Sequence, residues 1–496
     1  MENNESVSFI ITIEKSNANL RTQLKAITAV CGELGCSYEV MVFVKSQDRN
    51  LEKILENAQN AYQIKHEATN FFPSALRMGL KRAKYERVLV CCSDDIATVH
   101  SIKQMILGLE YYDLISGIRP VLKRGVRAAI YSWTWHKLVR FLFNVRLKDI
   151  NCPYKALLRN KAKEVGYFES DGSLTHTELV ARMKAMGMKV AEFPLESFHL
   201  ESEKSETYNP FVLIWTFYRL IKLKLQIVKT RKRLFDESTF HDAWASAMDV
   251  EHLLVRESFE AVTAVENRYS INAMGNIEGK RILDLGCGAG ETSVYFALKG
   301  AKVTAVDISP EMIRVVNQLA AKWNVKLDAK VMVAEDMDFQ SNHYDFVFGN
   351  GILHHLDRKK AYNEIVRVLK PGGKAIFVEP LCYNPIISIY RLLAKTVRTK
   401  NEKPFRFREF RYLRKLFAHV QHREFWLTTQ LIFIYFFLIK RISPRKERYW
   451  KKVIAKADSI APMYTKLLKI DDFLLSRVPF LKRLCWNTVI FLEKAL

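Results

Sequence analysis

The sequence is short of the features that would take it out of the globular class. Proline accounts for 13 of 496 residues, while 49% are hydrophobic and 12% aromatic. That balance excludes a disordered or fibrous chain and supplies material for two or three domains. The eight cysteines, at 31, 36, 91, 92, 152, 287, 382 and 485, form no CxxC pair and no zinc spacing. A disulfide framework and a structural zinc site are thereby set aside, as in a reducing compartment. The opening MENNESVSFI carries acids where a signal peptide has basic residues, so secretion is not expected. Long apolar runs are missing as well. The longest, Leu431 to Ile439, falls short of the roughly 20 residues of a spanning helix and is expected in a core or at an interface. No repeat or low-complexity segment is present.

Acid is the remaining shortage: 53 Asp and Glu face 77 Lys and Arg, leaving +24. Two segments hold the surplus. Residues 211–233 carry seven basic residues and no acid, and residues 381–496 carry 25 basic and 8 acidic ones. Both are rich in Trp, Phe, Tyr, Leu and Ile, a mixture suited to an anionic bilayer surface on the cytoplasmic side. RNA is the competing anionic partner, distinguished by affinity that falls steeply with salt. Within the first segment Thr216, Arg219, Lys222, Gln226, Lys229 and Arg233 recur at steps of three or four and share one helical face. Phe217, Ile221, Leu225 and Val228 lie opposite, with Lys224 interrupting the stripe. An in-plane amphipathic helix is expected, with a helix packed between domains as the alternative. The charged run Lys229 to Glu237 has the composition of a linker. Toward the end, Arg441 to Lys452 sets basic residues beside Tyr449 and Trp450.

The clearest chemistry lies in Arg281-Ile-Leu-Asp-Leu-Gly-Cys-Gly-Ala-Gly-Glu291. A short apolar strand runs into glycines at 286, 288 and 290, where the backbone can approach a ligand closely. A second strand, Lys302 to Val306, ends in Asp307, placed to accept the hydroxyls of a ribose. Position 291 is Glu where a dinucleotide fold wants its third glycine, and Asp284 suits a ligand with an amino-acid end. The successive motifs DLGCGAG, VDISPEM, AEDM, NGILHHL and RVLKPGG resemble those of a class I S-adenosylmethionine-dependent methyltransferase of type 11, over residues 240 to about 435. The resemblance implies that Asp284, Gly286, Gly288 and Gly290 hold the methionine end, Asp307 the ribose, Asp336 with Met337 the adenine, and that Asn350 faces the methyl group. His354 and His355 are candidate bases for a hydroxyl acceptor, one of them packing the next helix being the alternative. The segment after strand Lys374 to Glu379 mixes apolar residues with Arg391, Lys395, Arg398 and Lys400 and is expected as a lid over an amphiphilic acceptor or as a plain basic helix.

Residues 1–200 alternate strands Val7–Ile13, Tyr38–Val44 and Arg87–Cys92 with helical stretches, as in a parallel α/β domain. The run Phe72 to Asp95, with Ser116-Gly-Ile-Arg119 and Asp149-Ile-Asn-Cys-Pro-Tyr-Lys155, resembles a family 2 glycosyltransferase of GT-A fold, of the dolichyl-phosphate mannose synthase type. The resemblance implies a nucleotide sugar with Mg or Mn at Asp95, and Arg119, Arg124 and Arg127 on a donor or lipid phosphate. The chain departs from the family at Thr12 to Ser16, at Val44-Lys45 and at Ser93-Asp-Asp95, where Ser replaces the first metal-side acid. A working head and a binding module without chemistry both stay open.

The expected fold class is therefore α/β, two doubly wound domains with basic amphipathic helices. The boundaries are 1–205, a helix and linker at 206–238, a methyltransferase at 239–440 with an insertion at 381–415, and a helical extension at 441–496. The expected function is a bifunctional enzyme, peripheral on the cytoplasmic face of a membrane, that methylates a sugar hydroxyl or glycolipid group on a small or lipid-linked saccharide acceptor. Alternatives are a methyltransferase with a degenerate head and an RNA methyltransferase.

Overall fold

The structure is a computed structural model. It describes residues 6–13, 19–44, 49–56, 58, 60–65, 71–92, 97–120, 126–165, 170, 174–196, 210–393, 398–399, 402–442 and 449–496. The chain divides into two compact units, Met1–Thr230 and Arg231–Leu496.

In the first unit, strands β1 (Val7–Ile13), β2 (Tyr38–Val44), β3 (Ala61–Lys65), β4 (Arg87–Cys92), β5 (Leu114–Ile118), β6 (Lys155–Leu158) and β7 (Val190–Pro194) form one sheet in the order β3-β2-β1-β4-β6-β5-β7. All neighbours run parallel except β6, which opposes both β4 and β5. The near-continuous apolar strands are those of a sheet covered on both faces. Ile10, Met41, Val88 and Val90 enter one core; Phe9, Ile11, Val42, Leu89 and Cys91 enter the other, as period-two alternation requires. The chain leaves β1 toward β2 on one side and finds β4 on the other, so the ends of β1 and β4 flank a topological switch point.

A single helix, Pro210–Ser246, follows. The expected linker at Lys229 to Glu237 is part of it, because Lys, Arg, Leu and Glu are good helix formers and no Gly or Pro interrupts them. Leu220, Leu223 and Ile227 join the first unit's core, a different stripe from the one expected. Phe217, Leu225 and Val228 stay exposed.

In the second unit, β8 (Arg281–Leu285), β9 (Lys302–Asp307), β10 (Asp328–Val331), β11 (Tyr344–Asn350), β12 (Leu369–Pro380), β13 (His419–Phe425) and β14 (Asn487–Glu493) take the order β10-β9-β8-β11-β12-β14-β13. The first five are parallel, and β14 runs antiparallel between β12 and β13. Residues 441–496, expected as a helical extension, thus supply an inner strand. Val489 enters one core while Ile490 and Leu492 enter the other. The intervening stretch folds back as helices Leu431–Ile434, Tyr449–Ala455 and Ala457–Arg477, the first continuing into a π turn at Tyr435–Ile439. The run at 431–439 splits: Ile432, Phe433 and Phe436 are buried, and Leu431, Phe437, Leu438 and Ile439 are exposed. Buried Asp471 fastens the fold-back, accepting the Leu427 amide at 3.0 Å and the Thr429 hydroxyl at 2.8 Å. Among the described residues no helix is long and apolar enough to cross a membrane.

An inner-strand role for β14 has a measurable consequence. Ile490→Ala should cost about 2–5 kcal/mol in denaturant unfolding, as for a buried core residue, whereas Phe480→Ala, at an exposed position of the same segment, should stay within about 0.5 kcal/mol.

Candidate active site

The loops after β8, β9, β10, β11 and β12 meet at one end of the sheet around a cavity of about 380 Å³. The β8 loop is shaped first. Gly286, Gly288 and Gly290 all take positive φ, at 70°, 52° and 85°. A Cβ on Gly286 would stand 2.5 Å from Ile352, and the Gly286 and Cys287 amides bond the Val306 carbonyl, so only glycine fits that turn. Gly286 and Gly288 line the cavity; Gly290 instead begins helix Glu291–Leu298 and packs on Val316.

Two carboxylates stand beside this loop. Asp307, at the end of β9, accepts the Gly288 and Ser309 amides, each at 3.0 Å. Asp284 is buried at the end of β8 and accepts the Ser293 hydroxyl at 2.5 Å. Burial pushes the Asp284 carboxyl up to about 7; the Ser293 bond opposes this and neighbouring Asp307 adds to it. This corner of the cavity is short of positive charge, which the ammonium group of an amino-acid ligand supplies. The residues present therefore fit S-adenosylmethionine.

Of the pair assigned by resemblance to the adenine, neither Asp336 nor Met337 lines the cavity, whereas the preceding Ala334 and Glu335 do. Met337 is fully buried, its amide held at 2.9 Å by Glu364, which pairs with Arg367; that bond turns the side chain into the core. Glu335 accepts Arg233 at 2.7 Å and the Asp357 amide at 2.8 Å, and Arg233 also donates to the His355 carbonyl at 2.9 Å. Arg233, expected on the polar face of an amphipathic helix, thus ties two loops of the cavity together.

Beyond the donor end, Asn350 closes β11 and donates to Asn267 at 3.2 Å. His354 and His355 follow on a 3-10 turn, their rings 4.2 Å apart. Each has a carboxylate behind it. His354 Nδ1 lies 2.8 Å from Glu379 Oε2, and Glu379 Oε1 accepts the Leu353 amide at 2.6 Å. His355 Nδ1 lies 3.1 Å from Glu237 and 3.2 Å from Thr399. Burial, helped by His355, Arg391 and Arg398, holds His354 well below the usual histidine range. Burial also pushes Glu379 up to about 7, against the Leu353 amide and nearby cations. For Glu237 burial raises, yet His355, Thr399 and His241 outweigh it and hold the carboxyl below its usual value. Phe240, Trp244, Ile387, Tyr390, Trp426 and Trp486 make the far walls aromatic and apolar.

Glu237, Asn267 and Trp426 line the cavity and Glu379 stands behind His354, positions that motif reading passes over. Glu379 carried a signal, a carboxylate ending the apolar strand KAIFVE; the others come from segments distant in sequence. In the first unit, Arg119 pairs with Asp149 through two bonds of 2.7 and 2.8 Å. Asp95 and Arg124, and the Arg127 side chain, lie outside the described residues.

The family described as Methyltransferase domain matches residues 283–377. The ubiquinone biosynthesis O-methyltransferase of Xanthomonas oryzae pv. oryzae is 35% identical over 117 residues, 23% of this chain and 48% of that protein. The chloroplastic tocopherol O-methyltransferase of Arabidopsis thaliana is 36% identical over 103 residues, 20% of this chain and 30% of that protein. The chain thus spans about half or less of the length of the curated relatives it matches. Among solved structures, the YcgJ protein from Bacillus subtilis is 18% identical, with a TM-score of 0.32, covering 47% of this chain and 99% of that one. Residues 283–377 of the second unit are thus similar to a methyltransferase domain.

Asp284 generates a paired expectation. Its carboxyl is raised above the ordinary 3.8, so the folded state binds the extra proton, and apo stability should fall as pH rises from about 4 to about 7. Asp284→Asn should remove that slope and raise apo stability above pH 7, by on the order of 4 kcal/mol at most, while weakening donor binding. Thermal denaturation with and without S-adenosylmethionine reads both. Gly286→Ala should weaken donor binding and destabilise by about 1–3 kcal/mol, through its positive φ and its contact with Ile352.

Proposed function

We propose that the second unit transfers the methyl group of S-adenosylmethionine to a hydroxyl of an amphiphilic acceptor, a lipid-linked or saccharide-bearing molecule, at a cytoplasmic membrane surface. The observation that carries this is the cavity itself, with glycine loop and buried carboxylates at one end and a carboxylate-backed histidine among aromatic walls at the other. The two relatives are named for O-methylation in ubiquinone biosynthesis and of tocopherol, which supports an oxygen nucleophile on an apolar molecule.

When bound, the donor supplies an electrophilic methyl group on a sulfonium. The chain's part is to hold the acceptor oxygen in line and to take its proton. A neutral His354 donates its Nδ1 hydrogen to Glu379, which leaves Nε2 as the acceptor for the hydroxyl proton. The Glu379 carboxylate then stabilises the imidazolium that forms. Asn350, oriented by Asn267, lines the path between loop and histidine.

For the first unit, the sheet order and its switch point at β1 and β4 support the glycosyltransferase-type reading, with the expected metal-side segment following β4. The pairing of Arg119 with Asp149 favours the second reading, a glycan- or lipid-binding head without chemistry. The exposed Phe217, Leu225 and Val228 beside basic residues support a membrane surface for either.

His354→Gln should lower kcat by roughly 10²–10⁴-fold at unchanged donor affinity, and His355→Gln by much less. Because His354 is held below the usual range, the base stays deprotonated in mild acid, and the rate should fall instead as Glu379 takes a proton on acidification through about pH 7. Glu379→Gln removes the counter-charge and should lower kcat above pH 7 and abolish that acid-side fall. Labelled-methyl transfer to neutral and anionic alkyl glycosides measures these; equal rates for His354→Gln and the parent protein would remove the base assignment.

A further inference from the structure

We propose that Arg391 and Arg398 form a subsite for an anionic group, a phosphate or carboxylate, carried by the acceptor beside the hydroxyl that is methylated. The inference rests on the methyl-transfer reading of the cavity and specifies its substrate class.

Both guanidinium groups line the cavity, and their side chains are only 16% and 19% exposed. Both turn to one carboxylate, Glu402, itself 11% exposed. Arg398 is in direct contact with it, while Arg391 Nη2 stands 3.6 Å away, too far for a hydrogen bond. Two cations thus share one anion. Burial lowers Arg391 to about 10, with Glu379 and Cys382 opposing, as for a cation that has lost water without gaining a full partner. A planar guanidinium in that condition is suited to bidentate capture of a carboxylate or phosphate.

The surroundings narrow the ligand further. Helix Pro385–Leu393 turns Ile387, Tyr390 and Arg391 to the cavity and leaves Ile389 and Leu392 exposed on its other side. An anion bound at Arg391 has apolar and aromatic walls beside it and His354 within electrostatic reach, since both arginines act on that imidazole. An acceptor with a charged group, an apolar body and a nearby hydroxyl satisfies all three.

The same cluster offers a competing occupant. His354, His355 and Glu402 bring one ligand atom each within 4.8 Å of one another, a spacing compatible with a divalent cation. Two guanidiniums on the only carboxylate of that set disfavour a cation and favour an anion.

The test uses the full chain with S-adenosylhomocysteine bound, and titrates dodecyl phosphate, dodecyl maltoside, inorganic phosphate and pyrophosphate by calorimetry. Dodecyl phosphate should bind about tenfold or more tighter than the neutral maltoside, a charge-assisted contact of ordinary size. Arg391→Gln should erase the preference and Arg391→Lys retain part of it. Glu402→Gln, which removes the internal competitor, should tighten phosphate binding, a gain that misfolding cannot imitate. Pyrophosphate binding as tight as dodecyl phosphate would support the subsite and assign it to a soluble phosphorylated acceptor; preference for the alkyl chain would support it and assign a lipid. No charge preference in the parent protein, or unchanged affinities in Arg391→Gln and Glu402→Gln, would overturn the proposal. So would stoichiometric Mn²⁺ or Zn²⁺ binding lost in Glu402→Gln. Failure of S-adenosylhomocysteine to bind would instead remove the methyl-transfer reading.

Discussion

Strands β8 and β11 lie side by side, yet the chain leaves them toward opposite edges of the sheet. The crevice left at that reversal is the constraint on which the second unit depends, because no crossover helix can cover it. Every loop that carries chemistry opens there. The glycine turn after β8, the acid at the end of β9, the amide at the end of β11 and the carboxylate at the end of β12 need no special folding to meet; the strand order delivers them.

What the strand order cannot supply is dryness, and that comes from elsewhere in the chain. Helix Pro210–Ser246 contributes Phe240 and Trp244, and the fold-back between β13 and β14 contributes Trp426, Trp486 and Lys451. Their aromatic surfaces exclude water from a region holding Asp284, Glu379, Glu266 and His354, all buried. Desolvation is why two of those carboxyls sit near 7 and why the imidazole resists protonation. Low dielectric makes each charge there expensive unless a partner or ligand meets it. The pairings Arg233 with Glu335 and Lys451 with Glu291 meet that cost within the protein.

Much of this was legible in the sequence, and what escaped has a common cause. The glycine loop, Asp307, Asn350 and the two histidines were found because strand ends announce themselves by apolar runs meeting Gly, Asp or Asn. All of them reach the crevice except Gly290, which shapes the loop from behind. Asp336 and Met337, assigned by resemblance to the adenine, stand two positions past the lining pair Ala334 and Glu335, and the Met337 amide is held by Glu364, 27 positions away. The charge of 229–237 suggests a linker, and helix propensity makes it part of a helix. Residues 441–496 read as an extension because a strand of Asn-Thr-Val-Ile-Phe-Leu-Glu, by itself, gives no hint of two antiparallel partners. Sequence patterns report local periodicity; they carry no information on which distant segment satisfies it.

The place of β14 bears on how the chain is made. Strand β12 is complete at Pro380, but its partner begins at Asn487, after the whole fold-back has been synthesised. At about 5–20 residues per second, one edge of the sheet stays unpaired on the ribosome for roughly 5–20 seconds. Such an edge is a template for pairing with other chains. Lys374 on β12 and the basic surplus of the segment that follows place positive charge beside that open edge, and like charge opposes pairing between copies of the chain.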